Sequence, residues 1–170
     1  MICPNCGFDN VPGNEVCTHC QQALTSLDLP TPQNAIEKSL MEDKVSAFLL
    51  RSPVTVLPTS SVQDALQTML KENVGAVLVV DEKGTLLGIF SERDLLTKVV
   101  GLHDSYTQLL IEDFMTANPE TVSPNDPLNF ALHKMDIGGY RHVPVTNDGV
   151  PLGMISVRDM LRHITTLCDQ

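Results

Sequence analysis

The second half of the chain repeats the first, and this repeat constrains the fold more than any other feature. The stretch "VSAFLLRSPVTVLP" from Val45 matches "IEDFMTANPETVSP" from Ile111, 66 positions further on. Beyond the helix that follows, one residue is lost, so that "GIFSERD" matches "GMISVRD" at a step of 65. One chain of 170 residues therefore carries two similar units, which we expect to fold alike.

The pattern of apolar and turn residues in each unit predicts the element order β-α-β-β-α. This order corresponds to a mixed α/β (α+β) fold class. Apolar runs such as "VLVV" and "VPV" predict short buried strands, and "DEKG" and "TNDG" predict hairpin turns. A second strand ends at Ser91 or Ser156, and a helix follows each serine. The step of 65 aligns "AVLVV" with "RHVPV", so that Ala76 matches Arg141 and Val77 matches His142.

Four of the five cysteines form two C-x-x-C pairs: Cys3, Cys6, Cys17 and Cys20. Two such pairs predict a closed four-sulfur shell, the kind that structural zinc prefers. So small a segment has no hydrophobic core, and a metal would supply the missing folding free energy. We expect Zn²⁺, with iron as the runner-up because the same shell binds it. Disulfides or a thiol redox pair are the weaker alternatives.

This stretch resembles the short zinc ribbons that decorate many prokaryotic proteins. "CPNCG" matches the usual first knuckle, whereas "CTHCQ" lacks the glycine after the second pair. We expect His19, inside the second pair, to face solvent because four cysteines already fill the shell. Cys168 has no partner in the sequence and receives no role, and the other histidines (His103, His133 and His163) are expected at the surface.

The predicted domain organisation has four parts: a zinc ribbon over 1–22, a linker and helix over 23–44, a first repeat over 45–104 and a second over 105–170. Within the second part, the prolines of 21–33 indicate the linker. The helix is predicted from apolar residues at helical spacing: Ile36, Leu40, Met41, Phe48 and Leu49.

Composition limits the classes of function. A net charge of −10 opposes binding to nucleic-acid backbones and anionic membranes. No stretch reaches the roughly 18 consecutive apolar residues of a membrane span, and "MICPNCG" has no basic-then-apolar signal region. We therefore expect a cytoplasmic protein. The sequence has no Walker loop, G-x-G-x-x-G motif or Ser/His/Asp set, so we expect that it is not an enzyme.

The stretches "MTANPETVSP", "GYRHVPV" and "GMISVRD" make residues 45–165 resemble a tandem pair of cystathionine-β-synthase (CBS) domains, a Bateman module. The resemblance implies that the two copies pack through their sheets about a pseudo-twofold axis. It also implies two clefts for adenosine-containing ligands: AMP, ADP, ATP, S-adenosylmethionine, NAD or cyclic di-AMP. Such modules are usually regulatory, and they commonly form dimers, so we expect a homodimer.

The resemblance also implies which residues bind the ligand, because each cleft joins the Ser-x-x-Asp motif of one repeat to the early threonine and mid-domain strand of the other. The first cleft receives Ser91, Asp94, Thr121, Arg141 and His142. The second receives Ser156, Asp159, Thr55, Ala76 and Val77. Only the first has a cationic pair suited to phosphate, so we expect the cleft with Asp94 to bind nucleotides better.

Simpler interpretations of the same residues remain open. Ser91 and Ser156 could cap helices, with the aspartates three residues on completing capping boxes that need no ligand. Arg141 and His142 could be a solvated turn. Arg93 and Arg158 could add charge to either cleft or face water.

The favoured function is regulation: the repeats bind an adenine nucleotide, with AMP, ADP or ATP favoured, and the protein signals to an unidentified protein partner. The alternative is a nucleic-acid-binding regulator that uses the zinc ribbon. Residues 1–37 contain no Lys or Arg but four acidic residues, which argues against that alternative. A third possibility is a scaffold that has lost ligand binding.

Overall fold

The computed structural model describes residues 2–11, 14–24, 32–48 and 52–168. Its first unit consists of two equivalent cysteine knuckles. The N–H of Gly7 donates to the carbonyl of Cys3, and the N–H of Gln21 donates to the carbonyl of Cys17, both at 2.9 Å. Antiparallel bridges, Ile2 with Asp9 and Val16 with Ala23, close the two turns. The ribbon is therefore itself a small internal repeat.

Helix α1 covers Ala35–Glu42 and begins at Asn34, whose side chain accepts a hydrogen bond from the N–H of Glu37 at 2.8 Å. The helix is shorter than predicted. Asp43 takes an extended conformation, and Val45–Phe48 forms a separate 3-10 turn. The apolar spacing continues past Asp43, but the N–H of Val45 binds the carbonyl of Asp126, so the chain leaves the helix to pair elsewhere. Leu49 lies outside the described residues.

The first repeat has the predicted order. Its elements are β1 (Thr55–Val56), α2 (Val62–Glu72), β2 (Ala76–Val80), β3 (Leu86–Ser91) and α3 (Glu92–Asp94), which continues into a π turn (Leu95–Val99). Strand β1 is parallel to β2, and β2 is antiparallel to β3.

The second repeat departs from the predicted order at its first strand. The elements here are β4 (Thr116–Ala117), α4 (Leu128–Gly138), β5 (His142–Asn147), β6 (Val150–Ser156) and α5 (Val157–Cys168). Strand β4 pairs with β3 of the first repeat, and the predicted first strand is reduced to a parallel bridge between Val122 and Val145. The connection between the repeats thus extends the first sheet to four strands, β1-β2-β3-β4.

The two repeats exchange the segments that precede them. Val45 is fully buried in the core of the second repeat, and its N–H binds the carbonyl of Asp126 at 2.9 Å. In the same way, Ile111 is fully buried in the core of the first repeat, and its N–H binds the carbonyl of Ser60 at 3.0 Å. Each core is therefore completed by residues that precede the other repeat.

A third apolar cluster lies where the repeats meet. Ala76, Leu78 and Ile89 of the first sheet pack with Met154 of the second. The N–H of Leu86 also donates to the carbonyl of Gly149 at 2.9 Å. Separately, none of the helices in the described parts of the chain is long and apolar enough to cross a membrane.

Strand register corrects the sequence alignment of the repeats. Ala76 pairs with Ser91, and His142 pairs with Ser156, so Ala76 is the counterpart of His142 rather than of Arg141. Val77, which the sequence aligned with His142, instead corresponds to Val143, and both are fully buried. The second repeat is one residue shorter than the first in the hairpin turn between its two long strands. The length of this turn can change without shifting side chains between the faces of the sheet.

Candidate functional site

Both Ser-x-x-Asp motifs form a capping arrangement where a helix begins. Asp94 accepts hydrogen bonds on Oδ2 from the N–H of Ser91 at 3.0 Å and from its hydroxyl at 2.6 Å. Asp159 accepts the N–H of Ser156 on Oδ2 at 2.9 Å. Each motif thus uses Oδ2 of its own aspartate, and Oδ1 faces residues outside the motif.

The second oxygen of Asp94 already has two donors. Lys98 Nζ lies 2.7 Å from Oδ1, and the Thr116 hydroxyl donates to it at 3.1 Å. Burial opposes ionisation of Asp94, but hydrogen bonds from Lys98 and Ser91 hold the pKa of its carboxyl below the usual value. The carboxylate is ionised at neutral pH, and only 9% of its side chain is exposed.

Asp159 is much more accessible. Its side chain is 38% exposed, and Arg162 lies 3.9 Å from Oδ1. At the position equivalent to Lys98, the second repeat has His163, whose Nε2 contacts the hydroxyl of Ser39 in α1. The ring of His163 also packs edge-on against Phe48, with centroids 4.7 Å apart. The prediction of a simple surface role for His163 is therefore wrong.

His142 lies at the junction of the two repeats. A Cβ atom at Gly75 would be 3.1 Å from His142 Nε2 and 3.4 Å from Glu92 Cδ, so the absence of a side chain at Gly75 lets the ring approach. Burial lowers the pKa of His142, with Arg141 and Arg158 adding to the effect, although Glu92 and Asp159 oppose it. The imidazole is mostly neutral at pH 7.

The other predicted ligand-binding residues differ in accessibility. Ala76 and Val77 are fully buried, and they pack in different clusters: Val77 in the core of the first repeat and Ala76 where the repeats meet. Thr55 is exposed beside β2. The carbonyl of Thr121 accepts a hydrogen bond from Lys134 at 3.0 Å. Arg93, Arg141 and Arg158 are all exposed.

The cysteine ligands converge as predicted. The four sulfur atoms of Cys3, Cys6, Cys17 and Cys20 all lie within 4.8 Å of one another. Cys3 and Cys20 are 3.6 Å apart, as are Cys6 and Cys17. A tetrahedral zinc ion with Zn–S bonds of ~2.3 Å requires sulfur separations of about 3.8 Å, so this set can hold zinc.

The surroundings of the sulfurs favour a bound cation. Burial opposes ionisation of Cys17, but N–H donors from Cys20, His19 and Asn10 lower its pKa to about 6. A hydrogen bond with the backbone of Phe8 lowers the pKa of Cys6, but burial and the neighbouring sulfurs prevail and raise it to about 12. A cation held between the four sulfurs would favour the thiolate form of each cysteine. His19 is exposed, as predicted, and stacks on Phe8 at 5.5 Å.

Three residues that shape these sites were missed in the sequence analysis: Gly75, Lys98 and Thr116. Lys98 stands four positions after Asp94, a spacing at which opposite charges on a helix meet, so the sequence held a signal for this pair. Thr116 belongs to the connection between repeats, and its contact depends on β4 pairing with β3. No local pattern reports such a long-range pairing.

The CBS domain family model matches residues 45–101 and residues 111–166. The chain belongs to the CBS domain family. A curated relative, the mitochondrial CBS domain-containing protein CBSX3 of Arabidopsis thaliana, is 35% identical over 108 residues, which make up 61% of this chain. The matched part spans about half of that relative, 52% of its length. The ribbon precedes both matched ranges.

Solved structures share the tandem CBS fold. The CBS-domain protein ATU1752 of Agrobacterium tumefaciens is 35% identical with a TM-score of 0.66, over 71% of this chain and 98% of that one. PAE2072 of Pyrobaculum aerophilum, which was solved in complex with AMP, is 27% identical with a TM-score of 0.63, over 72% and 98% of the two chains.

Proposed function

We propose that this protein is a regulatory, non-enzymatic sensor that binds an adenosine-containing ligand in the clefts between its two CBS domains. The observation that carries the proposal is the pair of Ser-x-x-Asp motifs beside the junction of the repeats, in a fold shared with an AMP-bound protein. Their carboxylates are the natural acceptors for ribose hydroxyls. AMP, ADP and ATP are favoured because arginines stand beside the motifs.

The ligand-binding residues are proposed in two sets, revised by the strand register. Ser91 and Asp94 act with Thr121, Arg141 and His142. Ser156 and Asp159 act with Thr55, Ala76 and Gly75, which replaces the buried Val77. Because His142 is mostly neutral, a bound phosphate would stabilise its charged form and draw a proton from solvent.

A thermal-shift and calorimetry panel tests this function. The panel comprises AMP, ADP, ATP, S-adenosylmethionine, NAD and cyclic di-AMP, each with and without Mg²⁺. A ligand at a hundred times its Kd stabilises the folded state by about 2.7 kcal/mol, which raises Tm by roughly 5–10 °C for a chain of this size. If no member of the panel shifts Tm or gives a saturable titration, the sensing function is wrong and the scaffold alternative replaces it.

We propose that the ribbon binds one Zn²⁺ through Cys3, Cys6, Cys17 and Cys20. The metal supplies folding free energy to a segment with hardly any apolar core of its own. Elemental analysis of protein made with zinc supplied should find about one zinc per chain. A content below about a tenth of an equivalent, or one unchanged by Cys3→Ser plus Cys20→Ser, would refute the metal site. Iron in place of zinc would support the alternative metal in the same shell.

We propose a protein, rather than a nucleic acid, as the signalling partner of the ribbon. The described part of the ribbon exposes several large apolar side chains: Ile2 is 57% exposed, Phe8 45% and Val11 70%. Residues 1–37 contain no Lys or Arg to bind phosphates. A reducing compartment such as the cytoplasm would keep the four thiols available as ligands.

A homodimer is also proposed. Leu96 and Leu161 are equivalent residues of the two repeats, 66% and 59% exposed, so one pseudo-symmetric pair of apolar side chains faces outward. Light scattering should give twice the chain mass of 18.6 kDa. The variant with Leu96→Glu and Leu161→Glu should be monomeric, and a dimer that persists in this variant would place the interface elsewhere.

A further inference from the structure

The carboxylate of Asp94 is already satisfied by groups of the protein. Ser91 supplies two donors to Oδ2, and Lys98 and Thr116 supply two to Oδ1. A ribose needs these same oxygens as acceptors for its two hydroxyls. We name the set Asp94, Lys98 and Thr116 the Asp94 clip.

The Asp94 clip also fixes the connection between the repeats. Lys98 Nζ donates to the carbonyl of Phe114 at 2.8 Å and reaches that of Met115 at 3.4 Å. Thr116 follows directly and pairs with Ile89 of β3. Loss of the clip would therefore loosen residues 114–118, where the N–H of Asn118 donates to the carbonyl of Leu87 at 2.9 Å.

In the described parts of the chain, Asp159 has no equivalent of the Asp94 clip. At the step of 65, Lys98 corresponds to His163, which is engaged with Ser39. At the step of 66, Thr116 corresponds to Leu50, which has no hydroxyl. Asp159 accordingly has a side chain that is 38% exposed, against 9% for Asp94.

We propose that Lys98 and Thr116 compete with the ligand for Asp94, so that the cleft with Asp159 binds an adenosine ligand first. This inference rests on the proposed function, since it concerns the same two clefts. Arg141 and His142 alone would favour the cleft with Asp94, and this proposal reverses that order of binding. Neither residue removes the protein donors that already occupy both oxygens of Asp94. Binding at Asp94 requires the clip to open, which links occupancy of that cleft to the connection between the repeats.

Calorimetric titration with AMP tests the order of binding. Asp159→Asn should weaken the tighter site at least tenfold, whereas Asp94→Asn should leave it within about threefold of wild type. Lys98→Met and Thr116→Val each remove one of the two donors to Oδ1 of Asp94 and should strengthen the weaker site several-fold. Lys71→Met is the matched control, because the side chain of Lys71 is 82% exposed and forms an ion pair with its neighbour Glu72 at 3.7 Å, far in sequence from the clip.

Hydrogen exchange of the ligand-free protein tests the Asp94 clip without any nucleotide. Lys98→Met should accelerate exchange of the Asn118 amide at least fivefold, and Lys71→Met should leave it unchanged. If Lys98→Met fails to fold, Thr116→Val carries both measurements, because it removes one hydroxyl from an exposed residue and keeps its shape.

The outcomes separate this inference from the proposed function. Loss of the tight site in Asp94→Asn, with Asp159→Asn unaffected, overturns the inference and preserves the function. The inference is also overturned if Lys98→Met and Thr116→Val both exchange amide hydrogens and bind AMP as the wild-type protein does. If wild-type protein does not bind AMP, the proposed nucleotide site is wrong. Hydrogen exchange of the Asn118 amide then decides whether the Asp94 clip holds the connection between the repeats. Faster exchange in the clip variants supports this role, and unchanged exchange refutes it.

Discussion

At the scale of single residues, the second cysteine knuckle differs from the first at its turn position. Gln21 occupies the position that is glycine in the first knuckle, and it adopts a left-handed conformation with φ of 65°, close to the 73° of Gly7. The knuckle requires this turn because the N–H of Gln21 binds the carbonyl of Cys17. A side chain is strained in that conformation, whereas glycine is not.

Gln21→Gly should therefore stabilise the metal-bound ribbon. Relief of a left-handed side chain is worth about 1 kcal/mol, or roughly fivefold in an equilibrium constant. The variant should retain zinc to about a fivefold higher concentration of a competing chelator. Gln22→Gly is the control and should retain zinc no better than wild type, since φ of Gln22 is not positive. Earlier zinc loss from Gln21→Gly would contradict the argument.

The titration of His142 should affect stability near neutral pH. Burial holds its folded-state pKa below the ordinary value, so the unfolded chain binds a proton more readily. The contribution of neutral His142 to the free energy of unfolding is therefore complete above the unfolded-state pKa of about 6.5, and it is lost as pH falls below that value. The free energy of unfolding, measured with denaturant, should decrease more between pH 7.5 and pH 5.5 for the wild type than for His142→Gln. Equal losses would show that His142 is not the group involved.

At the level of elements, the exchanged segments determine how the repeats support each other. Repeat lengths, hairpins and helix starts could be predicted because they follow from local spacing and turn residues. The exchange could not, because Val45 and Ile111 carry the same apolar signal whichever core they enter. The alignment error at Val77 has a similar origin: strand register is set by pairing partners, which the sequence does not identify.

Ile111→Ala should weaken the first repeat, although Ile111 begins the second matched range. Ile111 is fully buried in the first core, and removal of such a side chain costs about 2–5 kcal/mol. Hydrogen exchange should accelerate mainly at amides of β2 and β3. Val45→Ala is the reciprocal control and should act mainly on β5 and β6. If each variant instead loosens the repeat to which its sequence belongs, the exchange of segments is wrong.

At the scale of the whole molecule, the ribbon and the CBS repeats differ in the size of their apolar clusters. The described ribbon has a small apolar cluster built around its cysteines, whereas each repeat has a core of eight or more buried residues. The cysteine pairs and the prolines after them predict that the two are separate units. The contacts of Lys98 and Thr116 with Asp94 could not be predicted together from the sequence, because they form only in the assembled pair.

Removal of the metal should unfold the ribbon alone. Chelation, or Cys3→Ser with Cys20→Ser, should abolish exchange protection in residues 2–24 because the sulfur cluster loses its cation. The main thermal transition of the repeats should stay within about 2 °C, as expected for a separate small unit. A much larger decrease in Tm would mean that the ribbon and the repeats unfold together.

The most direct test of nucleotide sensing is a calorimetric titration of the full chain with AMP. We expect saturable binding of AMP, and at least a tenfold loss of AMP affinity when Asp94→Asn and Asp159→Asn are combined. Circular dichroism checks that the double variant is folded. AMP affinity that is unchanged in a folded double variant, or no saturable AMP binding by wild type, would contradict the claim that the Ser-x-x-Asp motifs form an AMP site.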